Sequence, residues 1–103
     1  MVDSNDIRME QMIIGSWVLQ NNTDPNSTIN LTFNSDFSVH IVNTSPDNPR
    51  NENYLFRIED NVLFFFDEDE EYAFNIIEIN SLQLVLRFFS DQQTVTQTYT
   101  RAS

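Results

Sequence analysis

Five carboxylates in a row, Asp67-Glu68-Asp69-Glu70-Glu71, are the densest run of chemically active side chains in the sequence. The alternate members Asp67, Asp69 and Glu71 are spaced so that they could gather oxygen ligands around Ca²⁺, which takes about six to eight of them. The EF-hand layout and its turn glycine are missing, however, and mutual repulsion drives such runs into solvent. The expectation is a solvated hairpin tip: no metal is assigned, and these three residues are the weak candidates. His40 is the only imidazole, so any hydrolytic relay would have to be built on it. No glycine-flanked serine elbow accompanies it, and the strand pattern puts it on a polar face. The single glycine cannot build a phosphate-cradling loop, and no two of the acids stand at a spacing that marks a glycosidase pair. With no cysteine, thiolate zinc sites, iron–sulfur clusters, disulfides and thiol nucleophiles are all excluded. The chain is therefore expected to be non-enzymatic, with no catalytic residue and no cofactor.

Charge narrows the partners further. Sixteen acids stand against five arginines and no lysine, a net charge of -11. That field repels phosphates and anionic lipid, and no basic stripe offsets it, so direct nucleic-acid binding is not expected. A basic protein partner is allowed. No window approaches the roughly 18 apolar residues of a spanning helix, so membrane insertion is not expected either. The start Met1-Val2-Asp3-Ser4-Asn5-Asp6 has neither a basic region nor an apolar signal core; as written the chain reads as cytoplasmic, and as an envelope or secreted protein if a signal segment was removed.

The elements that would position any site are strands. Only Asp6 to Ile14 has helical spacing, through Ile7, Met9, Met12, Ile13 and Ile14, with Asn5 or Asp6 as cap and Gly15 as stop. Trp17 follows in a strand from Ser16 to Gln20, a large apolar plug beside the only glycine. Asn21 to Asn26, holding Asp24-Pro25, is turn chemistry. Then the period becomes two. Ile29, Leu31 and Phe33 alternate with polar residues, Asn34-Ser35-Asp36 turns the chain, and Phe37, Val39 and Ile41 alternate again.

Asn43 to Asn53 reads as the longest loop. Tyr54 to Ile58 and Val62 to Phe66 flank a turn at Glu59-Asp60-Asn61. The phase slips near Ile76-Ile77, which a bulge explains better than a helix in so aromatic and β-branched a segment. Leu82, Leu84, Leu86 and Phe88 share one face, as do Val95, Gln97, Tyr99 and Arg101 after a turn at Ser90 to Gln93. About eight short strands without βαβ spacing predict a single all-β domain over residues 1–103, an antiparallel up-and-down barrel with a short N-terminal helix; a two-sheet sandwich is the alternative.

Three segments carry a resemblance. Ile14-Gly15-Ser16-Trp17, then Leu31-Thr32-Phe33-Asn34-Ser35-Asp36-Phe37, then Phe74 to Ile79 followed by Leu82-Gln83-Leu84-Val85-Leu86, resemble the small lipocalin-like domains of bacteria in order along nearly the whole chain. The resemblance implies an eight-stranded calyx that holds an apolar small molecule, and it supplies no catalytic residue. The chain departs from the pattern at Phe37, where the family usually has glycine, and its length implies a shallow barrel.

On this reading the aromatics face inward. Trp17, Phe33, Tyr54, Phe56, Phe64, Tyr72, Phe74, Phe88, Tyr99 and Arg101 are the candidate pocket residues, with Phe37 and Phe66 on the same face. Leu55, Leu63, Phe65, Val85 and Phe89 fall out of phase, an outer apolar patch of the kind that marks an interface with a protein partner or a second copy. Phe65→Asp would then leave the fold intact. Two functions follow: a binding module for a small apolar molecule, or an acidic interaction or inhibitor domain that engages a basic protein, in the manner of a nucleic-acid mimic.

Overall fold

Alternating apolar side chains make most of the strands two-faced, and a sheet of such strands buries its apolar face most completely by closing on itself. The computed structural model, which describes residues 4–20, 28–44, 49–90 and 92–102, is a closed barrel of eight antiparallel strands in sequence order with one helix before them. The elements are α1 (Ser4–Met12), β1 (Gly15–Leu19), β2 (Ile29–Phe33), β3 (Ser38–Asn43), β4 (Arg50–Glu59), β5 (Val62–Phe66), β6 (Glu71–Ile79), β7 (Gln83–Ser90) and β8 (Gln93–Arg101). Closure comes from β1 pairing with β8, Trp17 opposite Arg101 and Leu19 opposite Tyr99. Among the described residues no helix is long and apolar enough to cross a membrane.

The expected bulge lies in β6, where pairing to β7 jumps from Ile76↔Leu86 to Glu78↔Val85 and leaves Ile77 extra. Ile77 is exposed, and Ile79 is returned to the inner face opposite Leu84. The loop expected from Asn43 to Asn53 is shorter, because Asn43 already pairs with Arg50. The turn expected at Asn21 to Asn26 lies outside the described residues apart from its flanks.

One hairpin corrects the reading of faces. Asp60 and Asn61 both have left-handed backbones (φ 51° and 65°), and Glu59 pairs directly with Val62. The connection is a two-residue loop with both central residues left-handed, the signature of a type I′ turn, and Asp and Asn are among the few non-glycine residues that accept it. A three-residue turn would put Phe64 opposite the inward faces of β4; two residues shift β5 by one and invert it. Leu63 and Phe65 are therefore inside, 0% and 3% exposed, and Phe64 and Phe66 are outside, half-buried. The Arg57 guanidinium covers that outer pair, 4.3 Å from the Phe64 ring centre and 5.1 Å from that of Phe66, while ion-pairing with Glu59 and Glu71.

The β2–β3 turn holds the departure from the lipocalin-like pattern. Ser38 donates its hydroxyl and its N–H to Asp36, which holds that carboxyl below its usual range. Phe37 then stands at φ 68°, where a Cβ is disfavoured. Its half-exposed ring packs 5.7 Å from that of Phe56. Replacing the ring loses this contact either way, but only glycine also relieves the backbone. Phe37→Gly is expected to unfold at a higher urea concentration than Phe37→Ala, a difference of about 1 kcal/mol; equal midpoints would show no strain at this residue.

Candidate functional site

Helix α1 closes the end of the barrel at which β1 begins. Met9 on the helix and Ile13 in the turn just past its end are buried with Trp17, Ile58, Leu63 and Leu84. The Trp17 indole N–H donates to the Ile13 carbonyl at 2.9 Å, joining helix to plug. Arg101 completes this end: its guanidinium lies 4.3 Å from the Trp17 ring centre and donates to the carbonyls of Met12 (2.6 Å), Ile14 (2.9 Å) and Ser81 (2.8 Å). These are the carbonyls of the helix end and of the β6–β7 turn, which strand pairing leaves over. Arg101 is thus a clamp on the closed end and is not among the residues that line the cavity at the other end.

Phe33 and Phe56 fill the middle of the barrel edge to face, their centres 5.1 Å apart. Rings continue from Phe33 to Phe65 (5.8 Å), Phe65 to Phe74 (5.0 Å) and Phe74 to Phe88 (5.4 Å). Beyond them the packing stops. A cavity of about 270 Å³ opens at the other end, with apolar walls from Ile29, Leu31, Ile41, Phe65, Phe74 and Phe88 and polar groups from Asn43, Arg50, Glu52, Tyr54, Tyr72, Gln97 and Tyr99. Of the residues expected in the pocket, Tyr54, Tyr72, Phe74, Phe88 and Tyr99 meet there. Trp17, Phe33 and Phe56 belong to the packed half, and Phe64 is on the outer surface. Phe65, expected outside, is one of the cavity walls.

The polar groups follow a local rule. Three tyrosines each donate to an oxygen two residues earlier: Tyr54 to Glu52 and Tyr99 to Gln97 (2.9 Å) along one strand face, and Tyr72 to Glu70 (2.8 Å) just before β6 begins. Tyr54 also reaches Glu70 at 3.3 Å, and its ring meets that of Tyr72 edge-on with centres 5.9 Å apart, so the first two pairs form one cluster at the cavity mouth. Arg50 stands beside Glu52 at 3.5 Å. The Tyr54 phenol is held well above its usual range, first by its hydrogen bond to Glu52; Tyr72 is raised by its bond to Glu70, and Tyr99 by burial. All three therefore remain protonated donors at neutral pH. Sequence reasoning missed Glu52 and gave Glu70 no role; the repeated Glu/Gln-x-Tyr spacing, at 52–54, 70–72 and 97–99, was the available signal.

The acidic run does not converge on a cation. Asp67 accepts the N–H groups of Asp69 and Glu70, both at 2.8 Å, and Glu71 turns outward to Arg57. Among the described residues no group of three or more acids or histidines is arranged to hold a metal ion. His40, on the outer side of β3, bonds Asn51 across the strand pair.

The expected outer patch is divided. Leu63 and Phe65 leave it for the interior, for the turn-length reason given above. Leu55 and Phe66 pair on the outside of β4 and β5 and line a groove of about 490 Å³ with Ser38, Asn53, Tyr54, Asp67 and Glu68. Val85, half-buried, and Phe89, 74% exposed, lie on β7, separated from Phe66 on β5 by the intervening strand β6. No protein family, curated protein or solved structure matches the chain.

Proposed function

We propose that the chain is a lipocalin-like binding module that holds one small apolar molecule in the open half of its barrel. The observation that carries this reading is the uneven filling of the interior: a plugged, fully packed half below Phe33 and Phe56, and above them a cavity of about 270 Å³ walled by six apolar side chains. Apolar walls with a few placed polar groups are the usual composition of a small-molecule site, and this volume suits a ligand smaller than a typical drug. The outer groove at Leu55 and Phe66, rimmed by Asp67 and Glu68, supports a second reading, an acidic interaction domain for a basic protein; a barrel that takes up no apolar probe would favour it.

The neutral fluorophore N-phenyl-1-naphthylamine tests the first reading. Its emission is expected to rise and shift to the blue, saturating at one molecule per chain. Ile41→Trp, which fills the cavity from β3, is expected to abolish the signal while the circular dichroism of the barrel is retained. No saturable binding, or equal binding by the filled variant, would overturn the assignment.

A further inference from the structure

We propose that the molecule held in this cavity is an organic cation, its apolar body among the phenylalanines and an amine head at the mouth between Glu52 and Glu70. The inference rests on the calyx reading above and adds the charge of the ligand to it.

Two carboxylates stand together at the entrance: Glu52, a lining residue, accepts the Tyr54 hydroxyl, and Glu70 lies 3.3 Å from the same phenol oxygen while accepting from Tyr72, the neighbouring lining tyrosine. Each carboxylate has about four acceptor directions; Tyr54 and Arg50 engage Glu52, and Tyr72 with the longer Tyr54 contact engages Glu70, about half of the directions at each. Acceptors therefore remain that a compact N–H donor can use. The phenols point their O–H groups at the carboxylates and keep their protons, so each directs its lone pairs away from that bond, and their rings meet edge to face at the cavity mouth. Aromatic faces beside carboxylates are the surroundings in which an ammonium group is held by both charge and ring quadrupole.

The opposite sign of ligand fits poorly. Arg50 is the one cationic side chain among the described lining residues, and its guanidinium is beside Glu52 and largely in solvent. The β5–β6 connection adds Asp67, Glu68 and Asp69 at the same end of the barrel. An anionic head would meet that field with Arg50, already beside Glu52, as its one cationic partner among the described lining residues, whereas a cation would be drawn in by the field, more strongly at low salt.

Displacement of bound N-phenyl-1-naphthylamine by octylammonium, octanol and octanoate, equal in length and differing in charge, tests the inference. Octylammonium is expected to displace the fluorophore at a concentration at least about tenfold below octanol, with octanoate weakest, and its advantage should shrink as salt is raised. In the double variant Glu52→Gln, Glu70→Gln, which keeps an oxygen for each phenol, octylammonium should fall to the level of octanol while octanol is unchanged. Equal displacement by octanol and octylammonium in the wild type, or an octylammonium advantage that survives the double variant, would overturn the choice of a cation and leave the calyx standing. Failure of the fluorophore itself to bind would remove both.

Discussion

Phe65→Asp unfolds the barrel. The ring is 3% exposed and lies between Phe33 and Phe74, at 5.8 and 5.0 Å. Removing it costs what a buried Phe→Ala change costs, about 3 to 5 kcal/mol, and the carboxylate put in its place lies among rings that cannot donate to it. The total is a large part of the roughly 5 to 15 kcal/mol that holds a domain together. The expected observation is loss of the β-sheet circular dichroism in buffer, or a urea midpoint displaced almost to zero. One residue along, Phe66→Asp should cost about 1 kcal/mol or less, because that side chain lies outside, where Arg57 can pair with the new carboxylate. A folded Phe65→Asp beside an unfolded Phe66→Asp would show β5 facing the other way.

That contrast marks where the sequence stops being legible. In β2 and β3 polar residues alternate with apolar ones, so Leu31, Phe33 and Val39 declare their own face, and all three are buried. In Val62-Leu63-Phe64-Phe65-Phe66 every residue is apolar, and periodicity carries no phase. The phase is set instead by the length of the preceding turn, decided by whether Asp60 and Asn61 both enter the left-handed region; short polar side chains permit that without requiring it. The bulge at Ile77 was readable for the converse reason, since a slip within an otherwise alternating run leaves two apolar faces out of step. At the site, Tyr54, Tyr72, Phe74, Phe88 and Tyr99 could be placed on one inner face by their spacing, whereas Phe65 and the acids of the mouth could not: Glu52 is one acid among sixteen, and only the pairing of β3 with β4 brings it to the entrance.

Trp17→Ala is the second large effect. The indole is fully buried, donates to Ile13 and stacks under Arg101, so truncation leaves a void at the base of the barrel, an Ile13 carbonyl without its indole donor and a cation without its aromatic face. A loss of about 3 to 5 kcal/mol is expected in urea unfolding followed by circular dichroism. Trp17→Phe keeps most of the volume and loses the N–H, and should cost about half as much. Stability of the alanine variant within about 1 kcal/mol of the parent would show that the helix and Arg101 seal this end without the plug.

The seam between β1 and β8 bears on how the chain comes off the ribosome. Trp17 has Leu31 as a neighbour early in synthesis, but its other neighbour is Arg101. Until residue 101 has emerged, the nascent sheet is an open ribbon with two raw edges and a row of phenylalanines turned to water. Non-local pairing of this kind is slow and prone to association. Closure of the β1–β8 seam is therefore the folding step most exposed to association between chains.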